Sequence, residues 1–120
     1  MIFGHVRDNL PRVNLTLPGI AGPLTVEFIV DTGLDGELVL PASLVRQLEA
    51  YYLGDKPIML ADSFHRSQPT FEVMLEWEDE PRPTEVIVLE GVPLLGSVLL
   101  AGSLLQAQMT DGGEVSIEPL

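Results

Sequence analysis

Over much of the chain, apolar and polar residues alternate with a period of two, the repeat of a strand whose successive side chains point to opposite faces. Val13, Leu15 and Leu17 alternate with Arg12, Asn14 and Thr16. After a turn bracketed by Pro18-Gly19 and Gly22-Pro23, Leu24, Val26, Phe28 and Val30 share one face, with Thr25, Glu27 and Ile29 on the other. Residues 37–40 read as a short apolar strand ended by Pro41, and Leu44, Val45 and Leu48 then recur on one face of a short helix. Residues 57–62 predict a strand and 63–68 a polar tip. Phe71, Val73, Leu75 and Trp77 alternate with acidic residues and Met74 in the return strand of that hairpin.

Residues 79–83 read as a turn, and residues 85–89, apolar on both faces, as a central strand. Ser97 stands where it would cap a short helix carrying Val98, Leu99 and Leu100. Asp111-Gly112-Gly113 has the chemistry of a turn between strands at 104–109 and 114–118. The pattern predicts an all-β fold with one or two short helices. Ten prolines and eleven glycines, spread throughout, argue against long ones.

The length of 120 residues fits one domain, 1–120, with no internal repeat. Hydrophobic residues make up 46% and charged residues 20%, the balance of an ordinary globular chain. The absence of cysteine removes disulfides, thiolate metal sites and cysteine nucleophiles. No apolar run is long enough to span a bilayer and the first residues do not resemble a secretory leader, so a cytoplasmic protein without a membrane partner is the expectation. A formal charge of -12 repels phosphate backbones and argues against nucleic acid.

Candidate chemistry concentrates at Asp31-Thr32-Gly33, directly after the apolar run Phe28-Ile29-Val30. Desolvation disfavours an ionised carboxylate there, so such a position is retained mainly where the group is paired or working. Thr32 brings a hydroxyl that donates and accepts, and Gly33 allows a sharp turn that carries its N–H toward the carboxylate.

The stretch Val30-Asp31-Thr32-Gly33-Leu34-Asp35-Gly36-Glu37-Leu38-Val39-Leu40-Pro41 resembles the retropepsin-like (retroviral-type) aspartic proteases. Within them it is most similar to small prokaryotic proteins with an Asp-Thr-Gly-Phe-Asp-Gly motif, Leu34 standing in place of Phe. Leu94-Leu95-Gly96 matches the family's second landmark, a hydrophobic-hydrophobic-Gly triplet before a helix. The resemblance implies a closed acid-protease β-barrel with a flap hairpin, acting as a homodimer that hydrolyses peptide bonds. It implies Asp31 as the catalytic carboxylate of each chain, with Thr32 and Gly33 as active-site support. Ala61, Asp62 and Ser63 would be the flap residues touching a peptide or protein substrate. No cofactor and no metal are implied.

Two other readings compete with the protease. One is a dimeric binding or regulatory module with the same fold and no proteolysis, and the other an acidic β-barrel interaction domain in which Asp31 merely closes a turn. His5 and His65 lack neighbouring ligands that would suggest a metal site, and His65 reads first as a solvated turn residue. Glu72, Glu76, Glu78, Asp79 and Glu80 read as a solvated face rather than calcium ligands, and Asp35-Gly36 as a turn. Ser43, Ser63, Ser97 and Ser103 lack the Gly-x-Ser-x-Gly elbow of a serine hydrolase.

Overall fold

A computed structural model describes residues 1–59 and 65–120. The chain runs β1 (Ile2–Arg7), β2 (Leu10–Leu17), β3 (Leu24–Val30), β4 (Leu38–Leu40), α1 (Ala42–Val45), β5 (Tyr51–Met59), β6 (His65–Trp77), β7 (Glu80–Val88), β8 (Leu94–Leu95), α2 (Ser97–Leu100), β9 (Ser103–Ala107) and β10 (Glu114–Pro119). The strands form one sheet in the order β5-β6-β7-β4-β8-β3-β2-β1-β10-β9.

The alternating faces explain the core. Antiparallel pairing of β2 with β3 sets Val13 opposite Phe28 and Leu15 opposite Val26, all on the buried side. Phe28 is fully buried, as are Leu38, Leu40, Leu75, Val86, Leu95 and Leu99. Burying side chains of this size removes about 1.5–3 kcal/mol each of unfavourable hydration, and truncating Phe28 would add a cavity to that loss. Strand β7 ends in Val86, Ile87 and Val88, buried on both faces beside Leu38, Val39 and Leu40 of β4, as expected of a central strand.

The chain order of β3 and β4 is not their order in space. Strand β8 lies between them, parallel to β3 through Ile29↔Leu94 and Val30↔Leu95 and antiparallel to β4 through Leu38↔Leu95 and Val39↔Leu94. The loop from Asp31 to Glu37 must therefore arch over the end of an inserted strand.

Several expectations change. The sheet is not closed into a barrel by hydrogen bonds: β5 and β9 are its two edges, although it bends enough to bring β2 against β6. The reason is that the β5–β6 hairpin projects away from the core, and most of β5 is exposed on both faces. Strand β5 starts at Tyr51, earlier than the strand expected from residue 57, and β6 starts at His65. The expected flap residues Ala61, Asp62 and Ser63 fall in 60–64, outside the described residues. Strand β1 alternates in burial, with Ile2, Gly4 and Val6 on the inner side and Phe3, His5 and Arg7 exposed, but with glycine at one inner position. A Cβ at Gly4 would lie 1.8 Å from the Arg12 carbonyl oxygen, so glycine is what lets β1 approach β2.

The turn expected at 79–83 is instead a tight reversal at Glu78-Asp79, and Pro81 and Pro83 lie within β7. Both fit because β4 covers β7 only from Val86 to Val88, leaving the earlier part paired to β6 alone. Ser97 does not cap α2. Gly96 occupies the cap position without a side-chain bond, and the Ser97 hydroxyl is used elsewhere.

Glu78 and Asp79 hold φ of 51° and 65°, the left-handed region that a two-residue hairpin turn demands and that side chains other than glycine occupy at a cost. Asp79→Gly is expected to stabilise the fold by about 0.5–1 kcal/mol. Urea denaturation followed by tryptophan fluorescence measures this; a destabilised variant would contradict the assigned turn.

Candidate active site

Strand β3 ends at buried Val30, and Asp31 is the first residue beyond it, half-buried. Its backbone N–H donates to the Leu95 carbonyl at 2.8 Å, a last rung of the β3–β8 ladder that fixes where the side chain starts. The Gly33 N–H donates to Asp31 Oδ1 at 3.0 Å and the Leu34 N–H to the Asp31 carbonyl at 3.2 Å, so the chain turns around the carboxylate. Its partial exposure keeps the carboxylate reachable from solvent.

Gly33 does not need glycine for its backbone angles, since it is not among the left-handed glycines. The nearest atom to a Cβ there would be Asp31 Oδ1, at 3.4 Å. What the missing side chain does is leave the approach to that oxygen open. Thr32 is exposed, and its hydroxyl forms no hydrogen bond among the described residues.

The rest of the loop is bound to the segment after β8. Leu34 carbonyl oxygen accepts from both the Ser97 N–H, at 2.9 Å, and the Ser97 hydroxyl, at 2.8 Å. Gly36 carbonyl oxygen accepts from the Val98 N–H at 3.1 Å, and Glu37 carbonyl oxygen from the Gly96 N–H at 2.8 Å. Gly96 must be small: a Cβ there would stand 2.3 Å from the Gly36 carbonyl oxygen and 2.9 Å from the Leu34 side chain. The Leu-Leu-Gly triplet thus seats the loop carrying Asp31, its two leucines filling the sheet as β8 and the glycine admitting the loop backbone.

The structure brings Asp31, Thr32 and Gly33 together in one turn, as their adjacency requires, and supplies no second carboxylate bonded to Asp31 among the described residues. Asp35 lies on the same loop, exposed. Among the described residues no three His, Asp or Glu side chains are grouped to hold a metal ion. His5 is exposed on β1, and His65 is the first residue of β6, exposed and opposite Met59. Sequence reasoning passed over Glu37, Arg82 and Glu85, which the fold gathers beside the loop: Arg82 Nη2 lies 3.2 Å from Glu37 Oε2, and the Glu85 N–H donates to Glu37 Oε1 at 3.1 Å. No local signal distinguishes them from other surface charges, because the partners are more than forty residues apart in the chain.

A groove of about 480 Å³ lies away from this loop, on the outer face of β1, β2 and β3, lined by residues including His5, Arg7, Arg12 and Glu27. In the groove Arg7 donates two hydrogen bonds to Glu27, at 2.6 and 3.2 Å, and Arg12 approaches it to 3.5 Å. The Arg7 hydrogen bond holds the Glu27 carboxyl below its usual range, with both arginine charges adding to the effect against a desolvation that opposes it.

Comparison with known proteins finds the same fold in the crystal structure of a retropepsin-like aspartic protease from Rickettsia conorii, with a TM-score of 0.52. The match covers 98% of this chain and 91% of that chain at 15% sequence identity. No protein-family model matches the sequence. No curated protein matches it either. The chain therefore has a mostly β, retropepsin-like fold, and the hydrophobic-hydrophobic-Gly strand stands beside the Asp31 loop within it.

Gly96→Ala is expected to cost about 1–3 kcal/mol, because the Gly36 carbonyl has to move to admit the methyl group. Gly22→Ala is the control for a glycine whose added Cβ meets nothing but whose φ of 123° is left-handed. Paired thermal melts, with amide exchange at Val98, test whether the loss at Gly96 is accompanied by a loosened loop; an unshifted Val98 would overturn the seating role.

Because Glu27's pKa is depressed on folding, its ion pairs stabilise above the unfolded value of 4.5 and the contribution is lost as pH falls through the lower folded value. Glu27→Gln should therefore be slightly less stable than the parent at about pH 7 and indistinguishable from it at about pH 2. Denaturation at both pH values checks it, and a gap that persists in acid would contradict the electrostatic cause.

Proposed function

We propose that two copies of this chain form a homodimeric aspartic endopeptidase, with Asp31 of each copy supplying one of the two catalytic carboxylates. The observation that carries this reading is the half-buried Asp31 at the end of β3, its carboxylate held by the Gly33 N–H, within a fold shared with a retropepsin-like aspartic protease.

Peptide hydrolysis by carboxylates needs two of them sharing one proton, because like charges roughly 3 Å apart do not both ionise readily. The chain has a single Asp-Thr-Gly triplet, so a twofold axis passing between two copies is the economical way to pair them. In the pair, the ionised carboxylate takes a proton from a shared water as its oxygen attacks the peptide carbonyl carbon. The protonated carboxyl hydrogen-bonds to the carbonyl oxygen, which becomes the oxyanion of the tetrahedral intermediate. Return of a proton to the amide nitrogen then lets the C–N bond break. No metal or cofactor enters these steps.

The exposed Thr32 hydroxyl, without a partner in its own chain among the described residues, is free to bond across the axis and brace the dyad from beneath. Gly33 leaves the cleft floor open to an extended peptide. The projecting β5–β6 hairpin, with Tyr51, Tyr52, Leu53 and Met59 exposed, supplies apolar surface for a flap over that peptide.

Asp31→Asn is expected to lower kcat/KM on flexible peptides by about a thousandfold or more while preserving the dimer. Sedimentation velocity and a peptide-cleavage assay on the same preparations measure the two effects. Wild-type cleavage in Asp31→Asn ends the protease reading. Two proteins that dimerise and cleave nothing replace it with the non-proteolytic binding module.

A further inference from the structure

The loop that carries Asp31 is held on two sides, and only one of them is made of backbone. Toward β8 and α2 it is fastened by the carbonyls of Leu34, Gly36 and Glu37. Toward β7 the link is the Glu37 side chain, largely buried with 17% of its surface exposed and with both oxygens in use. The availability of the Glu85 N–H follows from the sheet. In β7 the nitrogens of alternate residues face the same edge, and Leu89 N–H donates to Leu40, which places residues 81, 83 and 85 toward the β4 side. Pro81 and Pro83 have no N–H to offer, and β4 begins only at Leu38, opposite Val86. The Glu85 N–H is thus a donor just beyond the end of β4, and the Glu37 carboxylate stands where a further strand residue would have placed a carbonyl.

The Glu85 side chain is occupied from the other direction. Lys56 Nζ of β5 reaches it at 2.6 Å. Lys56 follows directly on the base of the projecting hairpin, where β5 is irregular between Tyr52 and Gly54 and Gly54 has φ of 118°. That base is pinned by the buried Thr70, whose hydroxyl donates to the Gly54 carbonyl at 2.8 Å, and by the Tyr52 hydroxyl, which donates to Asp55 Oδ1 at 2.7 Å. Beyond it, Pro57 and Met59 on one strand and His65, Arg66 and Ser67 on the other are exposed. The hairpin's position is set at its base.

We infer that Glu37 is a positioning residue for the Asp31 carboxylate, and that Glu85, held by Glu37 from the loop and by Lys56 from the hairpin, ties the root of the hairpin to the loop that carries Asp31. The catalytic meaning rests on the proposed peptidase; the mechanical arrangement does not. The four charges alternate, Arg82 with Glu37 and Lys56 with Glu85, so the junction is neutral as a whole and each carboxylate has its own cation. A loop held this way keeps the strand-end carboxylate at a constant place. A hairpin held at the same residue, just beyond Gly54, keeps its root in register with the loop.

The test is amide hydrogen exchange on the full chain and four variants, with a peptide assay alongside. Glu37→Leu removes both bonds to β7, and Glu37→Gln keeps an acceptor for the Glu85 N–H but loses the charge facing Arg82. With Glu37→Leu, exchange at Gly96 and Val98, whose acceptors are on the loop, should quicken roughly tenfold, with Glu37→Gln in between and β5 unchanged. Lys56→Met should quicken exchange at Lys56, Ile58, Arg66 and Gln68 several-fold while leaving Gly96 and Val98 as they were, and Lys56→Arg should restore the hairpin. In the peptide assay, Glu37→Gln should lower kcat more than it raises KM, and Lys56→Met should raise KM with kcat retained. The inference is overturned if Gly96 and Val98 in folded Glu37→Leu, or in Glu37→Gln should the leucine variant not fold, exchange at the parental rate. It is overturned equally if Lys56→Met leaves the hairpin amides unchanged. If the parent cleaves no peptide, the exchange results still decide the arrangement, and it is the peptidase reading that fails.

Discussion

The two-residue strand Leu94-Leu95, threaded between β3 and β4, is the constraint on which the other features of the candidate site depend. With it in place, β3 and β4 are separated by a strand's width, and the intervening segment has to cross that gap. The crossing puts Asp31 at the exit of β3 and Glu37 at the entrance to β4, with the turn between them lying on Gly96. Four rungs bind this unit: Asp31 N–H to Leu95, Gly96 N–H to Glu37, Ser97 N–H to Leu34 and Val98 N–H to Gly36. Each is a neutral backbone bond worth about 1 kcal/mol net. Together they over-determine one loop conformation, which is the condition for holding a carboxylate at a strand end. The fully buried Leu95, Leu38 and Leu99 surround the insertion with apolar contacts, so the short strand is fixed by packing as much as by its ladder.

A chain built this way presents the Asp31 carboxylate without enclosing it. Asp31 is half-buried, the Thr32 hydroxyl has no partner among the described residues, and Gly33 faces outward. The proposed second copy would supply a second carboxyl and a hydrogen-bond partner for Thr32. The formal charge of -12 sets a condition on such an assembly. Two acidic chains repel at long range, so association has to be carried by apolar and backbone contacts at short range. Exposed apolar side chains are available for this, among them Val92, Val98 and Leu104.

The β5–β6 hairpin follows a different physical rule from the rest of the sheet. Its outer half leaves the core, and a two-stranded ribbon alone in water is only marginally stable. The structure answers by tightening its root. The Tyr52 and Phe71 rings meet at 5.5 Å between centroids, the buried Thr70 hydroxyl satisfies the Gly54 carbonyl, and Lys56 spans to β7. Stability at the base and exposure beyond it would suit the flap of the proposed peptidase.

Much of the fold was legible in the sequence where burial follows a period. The alternation in residues 24–30 marked β3 to the residue, because a strand with one face in a core carries its pattern openly. Val86, Ile87 and Val88 read as central because a strand covered on both faces loses its alternation and becomes continuously apolar. The turn at Asp31 was legible for the same local reason: three adjacent residues make their own hydrogen bond, Gly33 N–H to Asp31 Oδ1, without help from elsewhere. The sequence misled where the deciding contact was distant. Nothing near Ser97 shows that its hydroxyl bonds to Leu34, sixty-three residues away, instead of capping its own helix. Pro81 and Pro83 looked like a turn because the sequence cannot show that β4 leaves that stretch of β7 uncovered. The expected closed barrel became an open, bent sheet because closure depends on where the β5–β6 hairpin points. Local periodicity is dictated residue by residue through side-chain burial, whereas strand order, the projection of the hairpin and the meeting of Glu37, Arg82 and Glu85 depend on which distant backbone groups pair, and those pairings exist only once the chain has folded.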